Sequence, residues 1–553
     1  MKPGRLWSLW FPALVLLVGA ALLLCRLDDA YLWQDEAETA IVSRHLLANG
    51  LPLSTDGTDW VQQAGQPWVE FTTDYVWIYH SWLQYGLTAA AFAVLGQTTL
   101  AARLPFVLFG LATLLLFYHL LRRWLEDCRV AVVGTLLLLF CVPFLLLIRQ
   151  DRYYALAAFF TLLTLDAYLV LSTRRGLHVR TGGTWAVPYL ILAAFLLYQS
   201  HYGAFFPTLA ALGIDFVLTR PDRKTAWRFV SAGACIAALV LPWAGFMRVL
   251  NRGQPFRADR FLAQLGQYLL YVTGWILPLA LLLLLLYAWA RQALGRQHGL
   301  DSDQARFCRV AGLIVLTNVV VLAASAAFDW VFFRYMVHLI PLLLALLAIV
   351  LVWVMRRSPA VACAMLVLLV LSNALHMVPY GVPGVRALSW DRLWPGSSAF
   401  QSLDEVWAKA GRFRSDAWMY AKELTHSYVG PNEGLVAYLA AHAQPGQTVV
   451  VNYEDLPLMF YTPLRVLGGL GAHGLDGLQA GGAYSGRGPD WVIDRQYGPY
   501  RDRLAALVAA GSYERITIPY PDLRWENRPE PGAHQYLTAQ GANPVTLYRR
   551  QED

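Results

Sequence analysis

Residues 33–38 read Trp33-Gln34-Asp35-Glu36-Ala37-Glu38, a knot of carboxylates that closely follows an apolar run ending at Leu24-Cys25-Arg26. That run is about 18 residues long, enough to cross most of a bilayer's hydrocarbon core. Lys2 and Arg5 precede it, and its end offers neither a small-x-small cleavage site nor a good lipobox. An uncleaved first span with a cytoplasmic N-terminus is therefore expected. Acidic groups just beyond such a span stand at the border of lipid and water, where partial burial would raise a carboxylate pKa and make it a usable base. The same residues also read as a helix start, with Asp35 as N-cap and Glu38 as its capping-box partner.

The rest of the chain fits that setting. Of 553 residues, 57% are hydrophobic and 15% charged, against about 45–50% and about 25% in soluble domains. A wholly soluble, fibrous or disordered protein is excluded. The net charge of +7 is spread in short clusters between apolar runs, which reads as membrane anchoring and not as a nucleic-acid face. Six cysteines, at 25, 128, 141, 235, 308 and 363, contain no C-x-x-C, so neither a disulfide framework nor a thiolate metal site is expected.

Further spans are predicted at 100–121, 130–148, 153–172, 185–200, 202–219, 229–249, 265–289, 310–328, 331–354 and 359–378, giving about eleven in all. The segment 76–96, rich in Trp, Tyr and His in its first half, reads as a helix lying in the interface. Keeping it there puts Arg122/Arg123/Arg129, Arg174/Arg175/Arg180, Arg220/Arg223/Lys224/Arg228, Arg291/Arg296/Arg306/Arg309 and Arg356/Arg357 inside, as the positive-inside rule asks. The outer face then carries loop 27–99, the junction 149–152, the turn at 201, loop 250–264, the turn at 329–330 and everything after 379. Arg248, Arg252, Arg257 and Arg260 break the charge rule on that face, a basic patch that suggests an anionic ligand.

Near residue 380 the composition turns polar and rich in Gly and Pro. The expected architecture is a polytopic α-helical membrane domain over 1–380, and a small extracytoplasmic α/β domain over 381–553. The tail's helices are predicted at 431–442 and 500–510 and its strands at 448–451, 490–494, 515–518 and 545–548. It holds no G-x-G-x-x-G, P-loop or nucleophile elbow, and the glycine-rich stretch 468–488 lacks a strand-to-helix context. No catalytic role is expected of it.

The chemistry-bearing residues gather at the outer junctions. Asp35 and Glu36 are joined in loop one by Glu70, Asp74 and His80. Arg149-Gln150-Asp151-Arg152 lies between two spans, where Asp151 would stay ionised between two arginines or serve as a helix cap. His201 interrupts an apolar region, and Arg334-Tyr335 opens the tenth span. Ionisable groups at such depth are costly and thus functional candidates, although Arg334 could equally snorkel to the interface. Carboxylates facing cations beside lipid suit transfer from a lipid-linked phosphate: the cations stabilise the departing phosphate and a carboxylate takes the acceptor's proton. A transporter or flippase of lipid-linked glycans is the alternative, and it predicts ionisable residues in mid-span and broken helices.

With these residues assembled, the chain resembles the C-class membrane glycosyltransferases of family 39, which include the protein O-mannosyltransferases and the lipid A aminoarabinose transferase. The resemblance rests on Trp33-Gln34-Asp35-Glu36-Ala37, Arg103-Leu104-Pro105 with Phe109-Gly110, Asp151, and Arg334-Tyr335 followed by Pro341. It implies an inverting, multi-pass enzyme of the cytoplasmic (inner) membrane. The donor would be a polyprenyl-phosphate sugar and the acceptor lipid A, another envelope glycan or a protein, with membrane lipids as surroundings and no nucleic acid. It also implies Asp35 as the catalytic acid position, with Glu36 beside it, and Asp151 as the second-loop acid. Glu70 matches an acidic position that relatives usually follow with Lys-Pro or Pro-Pro, whereas Phe71-Thr72-Thr73 follows here. The phosphate is then expected to fall to Arg149, Arg152, His201, Arg257, Arg260, Arg334, Tyr335 and His80. Carboxylates at 35, 36 and 70 leave a divalent cation open.

Overall fold

The apolar runs fold as helices, the open conformation that satisfies every backbone N–H and C=O within one segment in lipid. The computed structural model describes residues 3–551 apart from 58–59, 63–66, 173–184, 253–255, 294–301, 326–327, 383, 385–387, 393–394, 468–487, 499, 525 and 539–542. Among the described residues, six helices are long and apolar enough to cross a membrane alone: Thr99–Leu125, Tyr154–Ser172, Tyr202–Thr219, Arg223–Phe246, Asp303–Ser325 and Phe333–Met355. Two more pairs are broken, Cys128–Leu139 meeting Val142–Ile148 at 64° and Ala258–Trp275 meeting Leu279–Tyr287 at 82°. Pro143 and Pro278 stand beside these breaks, where a missing N–H and a ring clash end the preceding helix. The run 265–289, expected as one span, is thus two helices, and the first starts at Ala258, inside the expected loop 250–264. Shorter apolar helices cover Trp10–Leu24, Leu83–Leu95, Ala186–Ser200 and Pro359–Leu371. The chain is an integral membrane protein.

The expected interfacial segment 76–96 is helical only over Leu83–Leu95. At about 1.5 Å per residue it is too short to span, and it packs on the first-loop helix Gln34–Asn49. The basic clusters are sewn together at one end of the bundle. There Arg306 and Arg309 meet Asp215, Arg123 meets Asp166 and Arg356 meets Asp127. The acidic loop and the junctions at 149–153, 201 and 334 gather at the other end.

The tail builds a five-stranded sheet from β1 (Thr448–Val451), β2 (Arg465–Leu467), β3 (Trp491–Asp494), β4 (Tyr513–Pro521) and β5 (Pro544–Arg550) in the order β2-β1-β3-β5-β4. β1 runs parallel to β2 and β3, whereas β5 is antiparallel to β3 and β4. The helices Pro431–His442 and Arg501–Ala510 form where the sequence places them, and the sequence reading missed β2 and the helices Ser398–Ala410, Asp416–Glu423 and Asp455–Tyr461. The glycine-rich stretch 468–488 lies outside the described residues except for Gly488. One hydrophobic core runs from the first loop (Leu32, Ile41, Trp77, Tyr85) into the tail (Leu435, Leu456, Met459, Trp491). This shared core fixes the tail over the acidic loop.

Candidate active site

The helix Gln34–Asn49 begins one residue before Asp35, with Trp33 in the N-cap position and no side-chain cap. The capping-box reading therefore fails, because both carboxylates are drawn away by cations and a phenol. Successive residues on a helix point about 100° apart, so Asp35 and Glu36 serve different partners while Asp35 and Glu38 share a face.

On the shared face, Arg152 is the hub. Its Nη1 donates to Thr39 Oγ1 (3.0 Å) and contacts Glu38 (2.9 Å), and its Nη2 lies 2.9 Å from His80 Nε2 and 3.9 Å from Asp35 Oδ2. A guanidinium has no acceptor, so His80 receives that bond on a lone pair and is neutral. Burial, with Arg152 next, pushes its pKa well below the usual histidine value. Tyr85 donates to Glu38 at 2.6 Å, and burial outweighs these partners and raises the Glu38 pKa. From the opposite side Arg334 Nη2 reaches Asp35 Oδ2 at 3.1 Å. Both arginines thus contact the same oxygen. Among the described residues Asp35 Oδ1 accepts no hydrogen bond, and Asp35 is 8% exposed.

On the other face Glu36 accepts two parallel bonds from Arg103 (2.8 and 2.7 Å) and the N–H of Asp151 (2.8 Å). Asp151 accepts from Thr88 at 2.7 Å. The two flanking arginines do not pair with it among the described residues, and burial pushes its pKa up from the ordinary carboxylate value. Arg152 turns to Glu38, and Arg149 turns to the tail, donating to Tyr420 and to the carbonyls of Cys25 and Arg26, with Glu423 at 3.6 Å.

Above Arg152, Tyr153 and His201 stack at 4.3 Å, with Tyr335 6.1 Å beyond. Burial, then Arg152, lowers the His201 pKa to about 3, so this imidazole is neutral and can offer a hydrogen bond but no charge. Glu70 is buried in the same loop, where its carbonyl accepts from Ile78 N–H.

The basic outer patch does not join this constellation. Arg257 is exposed and bound to Asp259, and Arg260 is bound to Asp329. Arg252 is taken up by the carbonyls of Ile78, Tyr79 and Met247 and by Tyr202 Oη. A divalent cation finds no cluster either, since no three His, Cys, Asp or Glu converge to hold one among the described residues. Sequence reasoning assigned no site role to Glu38, Arg103, Tyr153 or Glu530. Glu38 was signalled by its three-residue spacing from Asp35, whereas nothing local marks Glu530.

No family model and no curated protein matches the chain. Solved structures do. The crystal structure of ArnT from Cupriavidus metallidurans bound to undecaprenyl phosphate superposes with a TM-score of 0.58 at 17% identity, covering 99% of this chain and 98% of that one. Its apo state gives 0.57. The archaeal oligosaccharyltransferase AglB from Archaeoglobus fulgidus, in complex with an inhibitory peptide and a dolichol-phosphate, gives 0.50 at 12% identity over 95% of this chain and 75% of that one. The chain has the C-class glycosyltransferase fold. In this fold the acidic loop, the 149–153 junction and Arg334 come from four separate stretches of sequence, counting the tail's Glu530, and the end-to-end coverage of ArnT includes the tail.

Proposed function

We propose that the chain is a glycosyltransferase that moves a sugar from a polyprenyl-phosphate donor to an acceptor at the outer face of the cytoplasmic membrane, with inversion at the anomeric carbon. The observation that carries this reading is the state of Asp35: one carboxylate oxygen is the nearest approach of both Arg334 and Arg152, and the other accepts no hydrogen bond among the described residues. A base needs such a geometry, held yet open at the atom that takes the proton.

In the proposed step Asp35 Oδ1 accepts the proton of an acceptor hydroxyl or amine as its oxygen or nitrogen bonds to the anomeric carbon. The bond from that carbon to the phosphate oxygen breaks on the opposite side and its electron pair leaves with the polyprenyl phosphate. Arg334 and Arg152 stabilise the departing charge, and neutral His201 and His80, with Tyr335, offer polar contacts. Glu36 and Asp151 are positioning residues that tie the acidic helix to the 149–153 junction, with Glu70 bracing the loop. The undecaprenyl phosphate and dolichol-phosphate bound by the ArnT and AglB structures support a lipid-linked donor. About eleven spans, an inside N-terminus and a boundary near 380 complete the reading.

The test is release of polyprenyl phosphate by membranes given undecaprenyl-phosphate-linked glucose, mannose, arabinose and 4-aminoarabinose. Wild type should release it from at least one donor and Asp35→Asn from none, while inserting normally. Full activity in Asp35→Asn would remove the base assignment. Alkaline-phosphatase fusions at 124, 177, 300 and 440 test the topology, only the last reporting outside.

A further inference from the structure

The tail reaches Arg334 through a turn whose first half is buried. Residues 528–534 fold back on themselves, with Ala533 and His534 N–H donating to the Glu530 carbonyl and Gly532 at φ +73° at the bend. Glu530 projects into the membrane domain, where Oε2 accepts from Phe333 N–H at 3.0 Å and Oε1 lies 3.4 Å from Arg334 Nη1. Phe333 opens a helical turn whose first N–H groups have no partner of their own, so the carboxylate satisfies one of them and fixes the backbone beside Arg334. The guanidinium is also confined between Phe332 (4.2 Å), Trp33 (5.4 Å) and Tyr335 (5.7 Å).

Arg334 therefore divides its fork: Nη2 takes Asp35 Oδ2 and Nη1 takes Glu530 Oε1. Left with a single carboxylate, an arginine prefers two parallel bonds to it, which would cover both Asp35 oxygens. Resting on the transferase reading above, we infer that Glu530 is a positioning residue of the transfer site: by holding one arm of Arg334 it keeps the guanidinium from closing on Asp35 and leaves Oδ1 open to the acceptor's proton. A soluble domain with no catalytic motif of its own thereby sets the geometry of the base.

The experiment compares Glu530→Gln, Glu530→Asp and Asp35→Asn in full-length protein, with the most active of the four undecaprenyl-linked donors as probe. Glutamine keeps the acceptor for Phe333 N–H and removes the charge. Its kcat should fall by about ten- to a hundredfold, as for other losses of alignment, with donor KM changed less than threefold. Glu530→Asp, which keeps the charge, should recover most of the kcat that Glu530→Gln loses. A Glu530→Gln enzyme with wild-type kcat, or a Glu530→Asp enzyme as slow as Glu530→Gln, overturns the inference while an inactive Asp35→Asn leaves the transferase reading standing. An active Asp35→Asn overturns both.

Discussion

Glu36 and Arg103 face each other across two parallel hydrogen bonds of 2.8 and 2.7 Å, both side chains buried, and the same guanidinium gathers the carbonyls of Leu27, Ala30 and Tyr31. This pair joins the acidic loop to the Thr99–Leu125 span. Removing one partner of a buried pair costs about 3–5 kcal/mol, since the other charge is stranded. Arg103→Ala and Glu36→Ala should each lower the melting temperature of detergent-solubilised protein sharply, and Arg103→Lys, unable to form the fork, should rescue only part. A melting point within a degree of wild type for Glu36→Ala would refute the structural role.

His201 gives a pH prediction. Its pKa lies near 3, below the ordinary value of about 6.5, so the folded protein keeps it neutral throughout the working range. The sign follows from linkage: the unfolded chain takes up a proton below about 6.5 that the folded chain refuses, so this contribution to stability is complete above that pH and is lost as pH falls toward 3. His201→Gln should leave the pH–activity profile between pH 6 and 8 unchanged in shape, with a uniform loss from the missing stack on Tyr153. A limb near 6.5 that disappears in His201→Gln would show that the imidazole titrates.

The tail holds a second titration. Glu526 is buried beside Glu433 and Glu454, with Arg495 on the far side, and burial followed by the Glu433 charge raises its pKa well above the ordinary value. For a carboxyl raised by folding, the folded state binds the extra proton, so stability is greatest at low pH and declines as pH rises above the unfolded value of about 4.3. Glu526→Gln should flatten that decline between pH 5 and 8, measured by thermal unfolding of the full chain. Gly430→Ala tests the packing independently: a Cβ there would come within 1.6 Å of Glu526 Oε1, so the variant should be severely destabilised at every pH.

The helices were legible because lipid demands long apolar runs, and the strand at 448–451 because a valine run between turn residues has few other outcomes. Asp35, Arg152 and Arg334 were legible as costly charges at membrane depth. The breaks after Leu139 and Trp275 were not read, although a proline stands at each, since apolar length alone made continuous spans of them. Asp35 and Glu38 were ambiguous because Asp-x-x-Glu fits a capping box and a cation-holding face equally well. Arg149 and Arg152, on either side of one aspartate in the turn between two helices, take opposite partners, and that choice depends on Tyr420, Glu423 and Glu38, which lie far away in sequence. Glu530 was invisible for the same reason.

The two arginine classes separate cleanly by variant. Arg152 serves Glu38, Thr39, His80 and Asp35 with a planar fork, and an ammonium offers one charge centre in place of that fork. Arg152→Lys should therefore lose at least tenfold in kcat and loosen the hold on Glu38, which keeps Tyr85 as its donor. Arg257 has a side chain 56% exposed and paired with Asp259, an arrangement worth about 0–1 kcal/mol. Arg257→Ala should release polyprenyl phosphate at the wild-type rate. Equal losses in the two variants, measured in one membrane preparation with the same donor, would mean that the basic patch takes part in transfer after all and that the site extends beyond the Asp35 cluster.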